Sequence, residues 1–127
     1  MCNPRRDEIA RFLTTIGHSP TMLLHIVLFR PKRDVSESDR QAMFDALAVA
    51  AKDIPSVRRF HIGDRVTHGA AYERTMTQDF PFAALIEFDD LAGLQAYLEH
   101  PKHETLGALF YRLLDVGLVY DYEARPI

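Results

Sequence analysis

Two short runs, Leu23–Phe29 and Phe82–Phe88, are rich in β-forming residues and apolar on both faces. This constrains the fold more than any other feature of the chain. Side chains alternate across a strand, so Leu23, His25, Val27 and Phe29 share one face of the first run and Leu24, Ile26 and Leu28 the other. In the second, Phe82, Ala84, Ile86 and Phe88 oppose Ala83, Leu85 and Glu87. A strand wetted on one side would show polar residues there; these two predict a sheet covered on both faces.

The segments between them supply one cover. Ser36 is a good N-cap, Glu37 and Asp39 suit the positive end of a helix dipole, and Met43, Phe44, Leu47, Ala50, Ala51 and Ile54 form one apolar face before Pro55 stops the helix. Val57–Val66 reads as a second strand, interrupted by Arg58 and Arg59, with Gly63 marking a bulge. Thr67–Asp79 is polar and reads as a loop. Asp89 or Asp90 caps a helix carrying Leu91, Leu94 and Leu98 on one face. Pro101 then disfavours helical geometry at His100 and fits the first turn of a new helix, with Leu106, Leu109, Phe110 and Leu113 at helical spacing. Leu118–Ala124 is the last strand, with Leu118, Tyr120 and Tyr122 on one side.

The order β-α-β-β-α-β predicts an α+β, ferredoxin-like fold: a four-stranded antiparallel sheet with helices on one face. That arrangement leaves the other face bare and apolar. Packing the open faces of two copies together removes the exposure, so the chain is expected to form a homodimer, a dimeric α/β barrel.

With 127 residues, 47% of them hydrophobic, the chain suits one domain. Residues 1–21 read as an N-terminal extension with a short helix over Asp7–Ile16, fenced by Pro4, Gly17 and Pro20; residues 22–127 read as the folded domain. A net charge of −3 and scattered arginines argue against nucleic-acid binding. The single cysteine, Cys2, offers no disulfide framework and suits a reducing, cytoplasmic setting. No apolar run approaches the roughly 20 residues that span a bilayer, and Met1–Thr21 lacks a signal-peptide pattern, so no membrane association is expected.

The segment Tyr97-Leu98-Glu99-His100-Pro101-Lys102-His103 carries the chemistry. His103 lies three residues before Leu106 on the apolar stripe and is expected to point inward, with the Tyr97 phenol nearby. Imidazole titrates closest to neutrality, so this pair suits proton transfer; half-buried structural histidines satisfied by backbone groups look the same in sequence. His100 and His103, with His25 or His61, make a weak metal pattern, because Pro101 puts His100 outside the helix and no acidic partner is spaced to help. No metal and no cofactor are expected. Tyr120 and Tyr122 read as interface or core aromatics, and Arg58, Arg59 and Arg65 as a solvated strand edge. His18 and His68 fall in loops and have no assigned role. Phosphate-loop, nucleotide and Ser-His-Asp patterns are absent.

Four stretches, Leu24-His25-Ile26-Val27-Leu28-Phe29, Ile86-Glu87-Phe88-Asp89-Asp90, Tyr97 to His103, and Val119-Tyr120-Asp121-Tyr122, together resemble the stress-responsive dimeric α/β-barrel (Dabb) family over about residues 22–124. The resemblance implies a homodimeric ferredoxin-like barrel. Many members have no established activity, but one plant member is a polyketide cyclase performing an intramolecular aldol condensation. Its active-site histidine of the first strand, tyrosine and second histidine of the HPxH segment match His25, Tyr97 and His103. A further histidine, on its third strand, aligns with Phe82, a departure that changes the pocket.

Two functions are therefore expected from the sequence. In one, a polar-lined pocket binds a small organic molecule and His103 acts as general base, with Tyr97 as hydrogen-bond donor and His25 orienting the substrate, in a cofactor-free cyclase or isomerase. In the other, the protein is a non-enzymatic stress-responsive or assembly dimer whose histidines only pack.

Overall fold

The computed structural model describes residues 21–127. The expected Asp7–Ile16 helix and the extension up to residue 20 lie outside the described residues.

The chain runs β1 (Met22–Pro31), α1 (Glu37–Asp53), β2 (Arg59–Asp64), β3 (Phe82–Phe88), α2 (Leu91–Glu99), α3 (Pro101–Leu113) and β4 (Leu114–Ala124). The strands form one four-stranded sheet in the order β2-β3-β1-β4, each neighbour antiparallel. This is the ferredoxin-like fold. The two doubly apolar strands, β1 and β3, are the central pair, which explains their composition: each is flanked on both edges as well as covered on the helix face.

The register sorts the residues into rows. On the helix face, His25 lies between Ile86 and Asp121, and Phe29 between Phe82 and Gly117. On the other face, Ile26 lies between Leu85 and Tyr120, with His61 beyond Leu85. The core forms where α1 and α3 pack together over the first face, with α2 against β1 and β3. Phe29, Met43 and Ala50 are fully buried there, as are Ile86, Phe88 and Tyr97 to within 1%. Phe29 sits 5.5 Å from Phe82 and 5.0 Å from Phe110 between ring centroids.

Each helix starts where its cap predicts. The Ser36 hydroxyl accepts from the Asp39 amide at 3.1 Å, and the Asp90 carboxylate from the Gly93 amide at 2.9 Å. Helix α2 ends at Glu99 and α3 begins at Pro101, so the proline break falls where it was expected.

Three features differ from the sequence reading. β2 is shorter than Val57–Val66, although the Arg58 amide donating to the Glu87 carbonyl and the Arg65 amide to the Pro81 carbonyl continue the ladder by one bond at each end. Gly63 marks no bulge: β2 pairs with β3 in unbroken register, and a Cβ there would meet nothing closer than the Ala83 carbonyl at 3.9 Å. β4 starts at Leu114 rather than Leu118, directly from the end of α3. The loop after β2 also contains a 3-10 turn over Ala71–Thr75.

The opposite face of the sheet is uncovered, with Leu85, Tyr120 and Tyr122 exposed on it. One chain is thus an open sheet, and barrel closure would take a second copy. No helix among the described residues is long and apolar enough to cross a membrane.

Candidate functional site

The helix α2–α3 elbow meets the sheet beside β1, and the chemistry-bearing side chains gather there. His100 makes the elbow. Its φ of −71° and ψ of 140° are extended, the geometry Pro101 favours in its predecessor, so it closes α2 and opens α3 at once. The His100 amide donates to the Tyr97 carbonyl at 3.2 Å, and its Nδ1 accepts from the Lys102 amide at 3.0 Å. One ring nitrogen of His100 is therefore committed to capping.

Tyr97, in the last turn of α2, points down onto the sheet and is only 1% exposed. Its ring centroid lies 5.8 Å from that of His25, 5.2 Å from Phe88 and 4.7 Å from His103. Burial is the cause that drives its pKa well above the ordinary phenol value. The phenol therefore stays protonated at neutral pH and is a hydrogen-bond donor.

His103 is the third residue of α3, and its amide donates to the His100 carbonyl at 2.9 Å. It is half-buried. Burial lowers its pKa first, proximity to the His25 ring lowers it further, and the Leu98 carbonyl, which favours the charged ring, opposes them. At pH 7 the ring is neutral and able to accept a proton.

His25 is the buried histidine of the group, 5% exposed on the helix face of β1. Its Nδ1 lies 2.5 Å from Asp121 Oδ1, because the β1–β4 register puts the two residues directly opposite. A carboxylate only accepts, so Nδ1 carries the hydrogen and, in the neutral ring, Nε2 keeps its lone pair. Asp121 was not anticipated. The sequence does contain a signal for it: an acidic residue between Tyr120 and Tyr122 must face opposite to them, toward the helices.

His25, Tyr97 and His103, separated by up to 78 residues of sequence, thus form one contiguous cluster with Tyr97 at its centre. His61 is excluded from it, since it lies across from Leu85 on the open face. Phe82, at the position aligned with the cyclase's further histidine, packs instead among Phe29 and Phe44 with the Arg40 guanidinium 5.2 Å from its ring centroid. Arg58 pairs with Asp89, Arg59 with Glu87 and Arg65 with Asp79, in keeping with a solvated edge.

Comparison with known proteins gives relatives for this arrangement. The profile of the stress responsive A/B barrel domain, Dabb, matches residues 23–124. Olivetolic acid cyclase from Cannabis sativa is 20% identical over 101 residues, spanning 80% of this chain and 95% of that protein. Among solved structures, the hydroxynitrile lyase from Passiflora edulis superposes with a TM-score of 0.71 at 17% identity, covering 85% of this chain and 97% of its own. A dimeric ferredoxin-like protein of unknown function from Thermobifida fusca gives 0.65 at 22% identity, covering 82% and 92%. At such identities the structural likeness speaks for the fold alone.

Proposed function

Because this chain belongs to the stress responsive A/B barrel domain (Dabb) family, we propose that it is a homodimer, joined through the open sheet faces, whose elbow site performs cofactor-free proton transfer on a small organic carbonyl compound. The observation that carries this reading is the contact of one buried, protonated phenol with two histidines, one of them held neutral. His103 removes a proton next to the carbonyl, and the Tyr97 hydroxyl donates to the oxygen on which negative charge develops. His25, fixed by Asp121, presents Nε2 to the site and orients the substrate. A positioned base supplies about a hundredfold to ten-thousandfold, and an aimed donor a few kcal/mol more, enough for a modest cyclase or isomerase. The name of one sequence relative, a cyclase, supports this class of activity.

The first experiment is hydrogen–deuterium exchange at the carbon next to the carbonyl of a panel of aryl alkyl ketones in D2O, followed by NMR. The expected result is exchange above the buffer rate that falls at least a hundredfold in His103→Ala. Exchange at the buffer rate with the wild-type protein, or undiminished in the variant, would sink the proposal.

The near-complete burial of Tyr97 favours a second reading, in which the cluster is structural and the protein is a non-enzymatic dimer. His103→Ala then leaves no activity to lose and costs about 1–3 kcal/mol of stability instead, read by urea unfolding.

A further inference from the structure

A concavity lies away from the elbow, under the loop that joins β2 to β3. It has a volume of about 390 Å³, within the range of small-molecule pockets. Its floor is the row Leu28, Ala83 and Gly63 at one end of the open sheet face. Val66, Met76 and Phe80 add further apolar wall, and Tyr72 and His68 stand at the polar side.

The loop over this cavity is tied down at several points. The Arg65 guanidinium pairs with Asp79 at 2.5 Å, and the Arg30 guanidinium donates to the Asp79 carbonyl at 3.0 Å while pairing with Asp115 of β4. Glu73 Oε1 gathers the amides of His68, Gly69 and Ala70 at 2.9, 2.5 and 3.0 Å. The chain can wrap round that carboxylate because Gly69 takes a φ of +87°, a region open to glycine. The cavity is therefore preformed.

Two of the charged side chains at its wall, Arg65 and Glu73, have partners, and the third, Asp64, is exposed to water. Arg65 is paired with Asp79, and Glu73 accepts from three amides. Beside them the Tyr72 hydroxyl and His68 Nε2 lie 2.8 Å apart, a hydrogen-bonding pair next to the apolar wall. An anion finds no free counter-charge in this lining, and the exposed Asp64 carboxylate, screened by water, offers a cation little, so a charged ligand would lose hydration with little compensation.

We propose that this cavity is a second binding site, separate from His25, Tyr97 and His103, for an uncharged aromatic molecule carrying a single hydroxyl or carbonyl group, which hydrogen-bonds to the Tyr72–His68 pair. The test is titration of the full-length protein with 4-butylphenol, 4-butylbenzoate and 4-butylbenzylammonium, followed by calorimetry and by amide chemical shifts. The expected result is saturable binding of the phenol with shifts confined to residues 63–83 and the neighbourhood of Leu28, at least tenfold tighter than either charged analogue. Tyr72→Phe weakens it about three- to tenfold, the worth of one hydrogen bond, and His103→Ala retains it. The proposal is overturned by shifts centred on Tyr97 and His103, by equal affinity for a charged analogue, or by no binding at millimolar phenol. It is equally overturned by binding that appears only in the open-face variant Leu85→Lys, which would mean that a second copy of the chain fills the cavity.

Discussion

His103 is the residue whose environment says most about its state. Its pKa in the folded protein lies below the ordinary histidine value, so between the two values the unfolded chain binds more protons than the native one. Stability from this group is fully present above about pH 6.5, the unfolded value, and is lost as the pH falls from there toward the lower folded value. Urea midpoints measured from about pH 7.5 down to 5.5 are therefore expected to fall more steeply for the wild type than for His103→Gln. Parallel curves for the two proteins would contradict the assignment. The same shift predicts that any base-dependent activity rises with pH and levels off at a lower pH than an unperturbed histidine would give. That His103 points inward was legible from its spacing to Leu106. Its partner network was not, because Asp121 meets His25 only through a strand register between residues 96 positions apart, which alternation alone does not fix.

Among the elements, the α2–α3 elbow decides whether the cluster exists. Pro101 stands at the first helical position, where a missing amide hydrogen costs nothing and the fixed φ holds His100 extended. Pro101→Ala removes that restriction from the unfolded chain and from His100, and is expected to cost about 0.4–1 kcal/mol in urea unfolding. Nuclear Overhauser contacts between the Tyr97 and His103 rings should weaken with it; unchanged contacts would mean that packing rather than the proline sets the elbow. The break was readable because proline acts locally. The start of β4 was not, because Leu113 and Leu114 continue one apolar pattern while the backbone changes from helix to strand between them. Nor was the 3-10 turn over Ala71–Thr75, whose stabilising carboxylate, Glu73, bonds amides that precede it in a stretch with no hydrophobic period. Gly63 misled for the opposite reason: glycine permits a bulge but does not require one.

At the scale of the molecule, the doubly apolar strands promised two covers and one chain supplies only one. Ile26, Leu85 and Tyr120 form a row across the middle of the bare face. Solved neighbours of this fold are dimeric. Leu85→Lys, placing a charge in the middle of that row, is expected to convert a species of twice 14.5 kDa into one of 14.5 kDa at micromolar concentration, read by light scattering after size exclusion. A wild-type protein already monomeric there would refute dimerisation through this face. The fold and the apolar face were legible together because both follow from alternation; the elbow cluster became visible only when register and the helix break were combined.

The direct passage from α3 into β4 bears on how the molecule can move. Leu113 ends the helix and Leu114 begins the strand, and the Lys32 amide donates to the Leu113 carbonyl at 2.8 Å, pinning the junction to the end of β1. No linker residue separates helix from strand, and the β1–β4 pairing shifts register just there, between Arg30 and Pro31. His103 near one end of α3 and Asp121 in β4 ride on a single lever with a fixed fulcrum, and Tyr120 and Tyr122 ride on it too. A tilt of the helix toward a bound molecule is therefore expected to displace β4, the strand that would face a second copy in the proposed dimer.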